Sequence, residues 1–233
     1  MIKNIFFDMD ETIYAEKNAK IKAESQVTEF IAKSLNISYE EVNDKYIKVK
    51  KEIFSKTQTD PNRNSRTNWY ESLLENLNCK IIEPKLLSKK YWDVVKSNIE
   101  LFEDFKLILP ELKRKYNLYI ITDELREIQN EKLLVLGVKN DFKKSISSTD
   151  VGKIKPNKEI FEYALRETNS VKEDSLMIGD NPSRDIEGAK RAGIKTVWLK
   201  RGKYYFYPLE EKNTADIIIT NYLELINKIL KLQ

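Results

Sequence analysis

The sequence predicts an α/β protein with a mostly parallel sheet and an all-helical insert near the start of the chain. Three observations carry that reading. A short apolar run, Ile2 to Phe7, opens the chain and stops at a carboxylate, as a buried strand does when it delivers a polar residue at its tip. From about residue 16 to 100 the apolar residues recur at helical spacing. After Pro110, apolar runs of strand length alternate with helical segments.

Taken in order, Val42, Tyr46, Val49 and Ile53 share one helix face, as do Trp69, Leu73 and Leu77. Ser38 with Glu41 three residues on is a capping box, and Pro84 suits a first helical turn. The polar stretch Thr57 to Thr67 is the one candidate for irregular structure inside the insert. Beyond Pro110 the second strand is expected over Leu118 to Thr122, and the helix after it closes at Gly137. Then follow a strand over 145–148, a helix from Asn157 to about Thr168, a strand over 176–178, and a helix from Ser183 to Ala192. Strands over 196–199 and 217–219 precede a last amphipathic helix. Right-handed crossovers through such an alternation give a Rossmann-like sheet covered on both faces. The expected domains are an α/β core over residues 1–13 and 105–233, and a helical unit over 14–104.

Composition narrows the chemistry. The 233 residues include no histidine and one cysteine, Cys79. That excludes Ser-His-Asp and Cys-His hydrolases, histidine zinc sites, CxxC redox chemistry and intramolecular disulfides. Acid-base work falls to carboxylates, lysine or tyrosine. The net charge of +4 comes from lysines interspersed with acids, the pattern of a solvated surface rather than a phosphate-tracking stripe. No apolar run reaches membrane-spanning length and the N-terminal layout is not that of a signal peptide, so the expectation is a soluble cytoplasmic protein with no nucleic-acid or membrane partner.

Open α/β sheets build their sites at the carboxyl ends of the strands. The polar residues expected there are Asp8 and Asp10, Thr122 and Asp123, Lys155, and Asp180. Carboxylates converging with a hydroxyl and a lysine suit a hard cation such as Mg2+ together with a phosphoryl group, and aspartate is an established phosphoryl acceptor.

These residues resemble the haloacid dehalogenase superfamily. Asp8-Met9-Asp10-Glu11-Thr12 is similar to its first motif, Ile120-Ile121-Thr122 to its second, Lys155-Pro156 to its third, and Gly179-Asp180 through Asp185 to its fourth. One such motif is weak; four in order at strand tips are specific. The insert between the first and second motifs matches the subfamily with a helical type-one cap. The resemblance implies a phosphatase in which Asp8 attacks phosphorus to form an aspartyl-phosphate. It implies that Asp10 protonates the leaving alcohol and then activates water. Mg2+ is expected on the Asp8 carboxylate, the Asp10 backbone carbonyl and Asp180. The phosphate-binding set is Thr122, Asp123 and Lys155, and Asp185 is expected to fix Lys155 or metal-bound water from behind.

Two departures stand out. Glu11 occupies a position where Gly, Asp or Asn is more usual, and Asp123-Glu124 replaces the frequent Asn-Gly. The second adds negative charge near a dianionic substrate and should weaken phosphate affinity unless a cap Arg or Lys compensates. Lys153 competes with Lys155 for the lysine role, and Pro156 favours Lys155. Arg63 and Arg66 read as solvated. The substrate expected is a small phosphomonoester of open identity, with sugar phosphates, three-carbon phosphates, phosphoglycolate and nucleoside monophosphates all compatible. Phosphomutase, 2-haloacid dehalogenase, a signalling receiver and a binding module with a vestigial site are the alternatives; Asp10 and Asp180 argue against the dehalogenase, and the long helical insert argues against the receiver.

Overall fold

Strand β1 (Asn4–Phe7) is buried at every position, so side chains on both of its faces are covered. The computed structural model describes residues 1–201 and 215–230. In it β1 lies at the centre of a six-stranded sheet, flanked by β4 (Asn117–Thr122) and β6 (Ser175–Gly179), both parallel to it. Outward from β4 comes β5 (Lys144–Ser147); outward from β6 come β7 (Lys195–Leu199) and β8 (Ile217–Ile219), all parallel. The apolar runs Ile5–Phe7, Leu118–Ile121 and Leu176–Ile178 are what a doubly covered parallel sheet requires, while β5 at its edge holds one apolar residue, Ile146.

Successive residues of β1 serve the two layers. Phe6 joins Tyr119, Ile121, Ile146 and Met177 in a core completed by Ile160, Phe161 and Ala164 of helix α8 (Lys158–Glu167) and Ala189 of helix α9 (Glu187–Arg191). Phe7 packs edge-on against Phe105 of helix α5 (Glu103–Lys115) and against Phe142, and lies beside Tyr222. Helix α5 runs through Pro110, which the sequence pattern takes as a boundary; a helix tolerates an interior proline by forgoing one hydrogen bond. Two short strands escape the sequence reading. These are β2 (Tyr14–Ala15) and β3 (Glu100–Leu101), paired antiparallel and too short to show a period.

The chain divides into two compact units, Met1–Ala15 with Glu100–Gln233, and Glu16–Ile99. The second unit contains helices α1 (Lys17–Leu35), α2 (Tyr39–Lys56), α3 (Arg66–Asn76) and α4 (Pro84–Lys96). Ser38 caps α2 by accepting from the Glu41 amide at 3.0 Å, and Pro84 opens α4. Arg66 is not solvated as its sequence context suggests. It is 4% exposed, and its guanidinium lies 3.9 Å from the Trp69 ring centroid and 4.9 Å from that of Tyr91. Guanidinium is weakly hydrated and stacks on aromatic faces, so an aromatic core accepts it where it would reject an ammonium. No helix among the described residues is long and apolar enough to cross a membrane.

Candidate active site

Asp8 follows β1 directly, and its amide donates to the Ile178 carbonyl at 2.9 Å, continuing the parallel ladder by one residue. The register pairs Phe7 with both Ile120 and Ile178. The residues two beyond those partners, Thr122 and Asp180, therefore end at the same sheet edge as Asp8. Topology alone brings together residues far apart in sequence.

Lys155 enters from the loop after the short helix α7 (Ser148–Val151). Its Nζ lies 2.5 Å from Asp8 Oδ1, 2.6 Å from Asp185 Oδ1 and 3.3 Å from the Ile121 carbonyl. An ammonium has three donors, and these contacts engage all of them. The choice between the two lysines resolves in the structure: Lys155 is 3% exposed, while Lys153 is an exposed residue. Burial pulls the Lys155 ammonium down, but Asp185, Asp8 and Asp123 outweigh it and hold its pKa above the ordinary lysine value, so it stays charged. Burial pushes the Asp8 carboxyl up to about 7, with Asp185 and Asp10 adding to the rise and Lys155 opposing it. An electropositive partner therefore matters at Asp8 even with a lysine in contact.

Asp185 is 1% exposed. It sits in a π-helical turn, Pro182–Ile186, that bends the chain back against the end of β6; such turns concentrate at functional sites. Gly179 makes this possible. A Cβ at that position would lie 2.5 Å from the Asp185 Cβ and Cγ atoms, closer than any side chain tolerates. Asp8, Asp180 and Asp185, all buried, each offer a carboxylate oxygen within 4.8 Å of the others. Asp185 thus belongs to the same carboxylate group as Asp8 and Asp180, in addition to contacting Lys155.

Thr12 joins the loops that follow β1 and β6: its hydroxyl donates to Asp8 Oδ2 at 3.0 Å and accepts from the Asp180 amide at 3.1 Å. Trp198 donates its indole N–H to the Asp180 carbonyl at 3.0 Å. Thr122 is buried and its hydroxyl accepts from the Glu124 amide at 3.1 Å. Asp10 is placed differently from the carboxylate group. Its Oδ1 accepts from the Tyr14 hydroxyl and from Lys132 Nζ, the latter at 3.1 Å. Glu11, with φ of 62°, takes the left-handed turn that Gly or Asn more often supplies.

The extra charge at Asp123 is matched within the α/β unit. One carboxylate oxygen accepts the Lys155 amide at 2.9 Å and the other pairs with Arg184. That partner, Arg184, comes from the π-helical turn. Glu124, 2% exposed, turns its carboxylate onto the Leu125 amide at 3.0 Å. Thr12 carried a signal as part of the first motif, whereas Lys132, Tyr14 and Arg184 carried none, because their roles depend on tertiary approach.

The carboxyl edge of a parallel α/β sheet thus gathers buried aspartates around one charged lysine, with no imidazole among them. The chain belongs to the haloacid dehalogenase-like hydrolases, matching that family over residues 5–199. Among its relatives are the glyceraldehyde 3-phosphate phosphatase of Methanocaldococcus jannaschii, 31% identical over 100% of this chain and 99% of that one, and that of Pyrococcus furiosus, 30% identical over 97% and 92%. Among solved structures, a HAD phosphatase from Thermococcus onnurineus superimposes with a TM-score of 0.73 at 26% identity, covering 98% of both chains.

Proposed function

We propose that this protein is a Mg2+-dependent phosphatase that hydrolyses a small phosphomonoester through an aspartyl-phosphate, with a three-carbon sugar phosphate such as glyceraldehyde 3-phosphate as the leading substrate. The observation that carries the reading is the buried Asp8–Asp180–Asp185 group with the Lys155 ammonium 2.5 Å from Asp8. Full-length similarity to enzymes named for glyceraldehyde 3-phosphate supports the substrate.

The donor set fits the cation. Hard oxygen ligands from clustered carboxylates suit Mg2+, and Asp8 and Asp180 would hold it together with the Asp10 backbone carbonyl, Asp185 standing beside them. When bound, the cation neutralises charge on the phosphoryl oxygens. The remaining work belongs to this chain. Asp8 attacks phosphorus in line, the bond to the ester oxygen breaks, and that oxygen takes a proton from Asp10. Asp10, now a carboxylate, removes a proton from the water that attacks the aspartyl-phosphate, which returns Asp8 and releases inorganic phosphate. Lys155 and the Thr122 hydroxyl bind phosphoryl oxygens and offset their charge, and Asp185 orients Lys155.

The test is release of inorganic phosphate from a panel containing glyceraldehyde 3-phosphate, phosphoglycolate, hexose phosphates and nucleoside monophosphates, with and without Mg2+. The expected result is Mg2+-dependent release, highest with the three-carbon ester and abolished by Asp8→Asn. Full activity of Asp8→Asn would sink the mechanism; preference for another ester would revise the substrate alone.

A further inference from the structure

Asp10 is gripped by two residues that no motif marks. Lys132, in helix α6 (Arg126–Val135), is 0% exposed at its side chain, and its Nζ stands 3.1 Å from Asp10 Oδ1; the Asp10 side chain retains 25% exposure. The same oxygen accepts the hydroxyl of Tyr14, itself 0% exposed. The two donors also touch each other, with Lys132 Nζ 5.7 Å from the Tyr14 ring centroid. The backbone fixes this approach. Residues 10 and 14 form an isolated bridge, the Glu11 amide donates to the Tyr14 carbonyl at 3.0 Å, and the left-handed Glu11 turns the chain between them. A buried ammonium is costly without an acceptor, and Lys132 finds one at Asp10 Oδ1.

We propose that Lys132 and Tyr14 are positioning residues for Asp10: together they hold its carboxyl group in one orientation, apart from the Asp8–Asp180–Asp185 group, so that it faces the ester oxygen of the departing alcohol. The inference rests on the phosphatase reading above, in which Asp10 gives its proton to that oxygen as the phosphorus–oxygen bond breaks. Holding a proton donor in line matters because a misplacement of about 1 Å can cost roughly 100-fold in rate.

The experiment compares phenyl phosphate with 4-nitrophenyl phosphate, using the Mg2+-loaded enzyme. The nitrophenolate departs as a stable anion, whereas phenolate is a poorer leaving group and gains from protonation. The ratio kcat/KM reports events up to that departure and excludes the later hydrolysis. Lys132→Met and Tyr14→Phe are each expected to lower kcat/KM for phenyl phosphate by roughly 10- to 100-fold and for 4-nitrophenyl phosphate by less than about 3-fold, with Lys132→Arg recovering most of the loss. Equal losses on both esters, or no loss on either, would overturn the proposal. Asp10→Asn separates this from the underlying reading. If Asp10→Asn leaves the wild-type contrast between the esters intact, the role of Asp10 fails. If Asp10→Asn is selective and the other two variants are not, only the positioning role fails. Tyr14→Phe removes a single hydroxyl and decides the matter should Lys132→Met not fold.

Discussion

At the scale of single residues, Asp8 responds strongly to its surroundings. Its folded pKa of about 7 lies above the usual carboxyl value of 3.8, because burial disfavours the charged form. The folded protein therefore keeps this proton to higher pH than the unfolded chain does. The stability it contributes is fully present below about pH 4 and is lost as pH rises through 7, at up to about 1.4 kcal/mol per unit. In chelator-treated protein, denaturant midpoints should fall between pH 5 and pH 8, and Asp8→Asn should flatten that fall. An unchanged slope in the variant would mean that burial does not set the behaviour of Asp8. The sequence marks Asp8, Asp10, Thr122 and Asp180 as candidates because strand ends announce themselves, an apolar run stopping and a polar residue following, while Lys155 is marked by the Pro156 after it. It did not show Lys132 or Arg184. Each lies in the polar texture of a helix or turn, and only the folded chain reveals which lysine or arginine points inward.

Among elements, the junction between β6 and the π-helical turn is the tightest part of the site. Gly179→Ala would drive a methyl group into Asp185, displacing the carboxylate that contacts Lys155 at 2.6 Å. The expected cost is about 1–3 kcal/mol, typical of overpacking, together with a loss of phosphatase activity much larger than the loss of folded protein. Urea denaturation and phosphate release measured on the same preparation check both; near-wild-type activity would show that the turn can shift without consequence. The regular elements were legible from period alone: the expected strand over 176–178 is Ser175–Gly179, and the expected helix from Asn157 to Thr168 is Lys158–Glu167. Two kinds of element were not. The two-residue strands β2 and β3 have no period to detect, and the helix expected over 183–192 is divided, its first turn wound as a π-helix. That division gives Asp185 its position, so the local rule failed where the site needed it to.

Over the whole molecule, charge at the sheet edge couples the site to folding. A cation that binds the folded carboxylate group and not the unfolded chain adds RT ln(1 + [L]/Kd), about 2.7 kcal/mol at a hundredfold excess over Kd. Mg2+ should therefore raise the thermal midpoint of the wild-type protein and leave that of Asp180→Asn nearly unmoved. Calorimetry with and without chelator checks this, and an equal rise in both proteins would place the cation elsewhere.

The strand order β5-β4-β1-β6-β7-β8 has a further consequence for how the chain is made. Among the described residues, strand β1 pairs with β4 and β6, whose first residues are Asn117 and Ser175, while Glu16–Ile99 forms a compact unit. During synthesis β1, in the middle of the sheet, is thus made before both of its neighbours and must wait for more than a hundred residues before β4 exists. Long-range parallel pairing is slow because the intervening loop must close first. Its three apolar residues, Ile5, Phe6 and Phe7, remain unpaired through that interval, and Asp8 beside them takes its final place only when Asp180 has emerged.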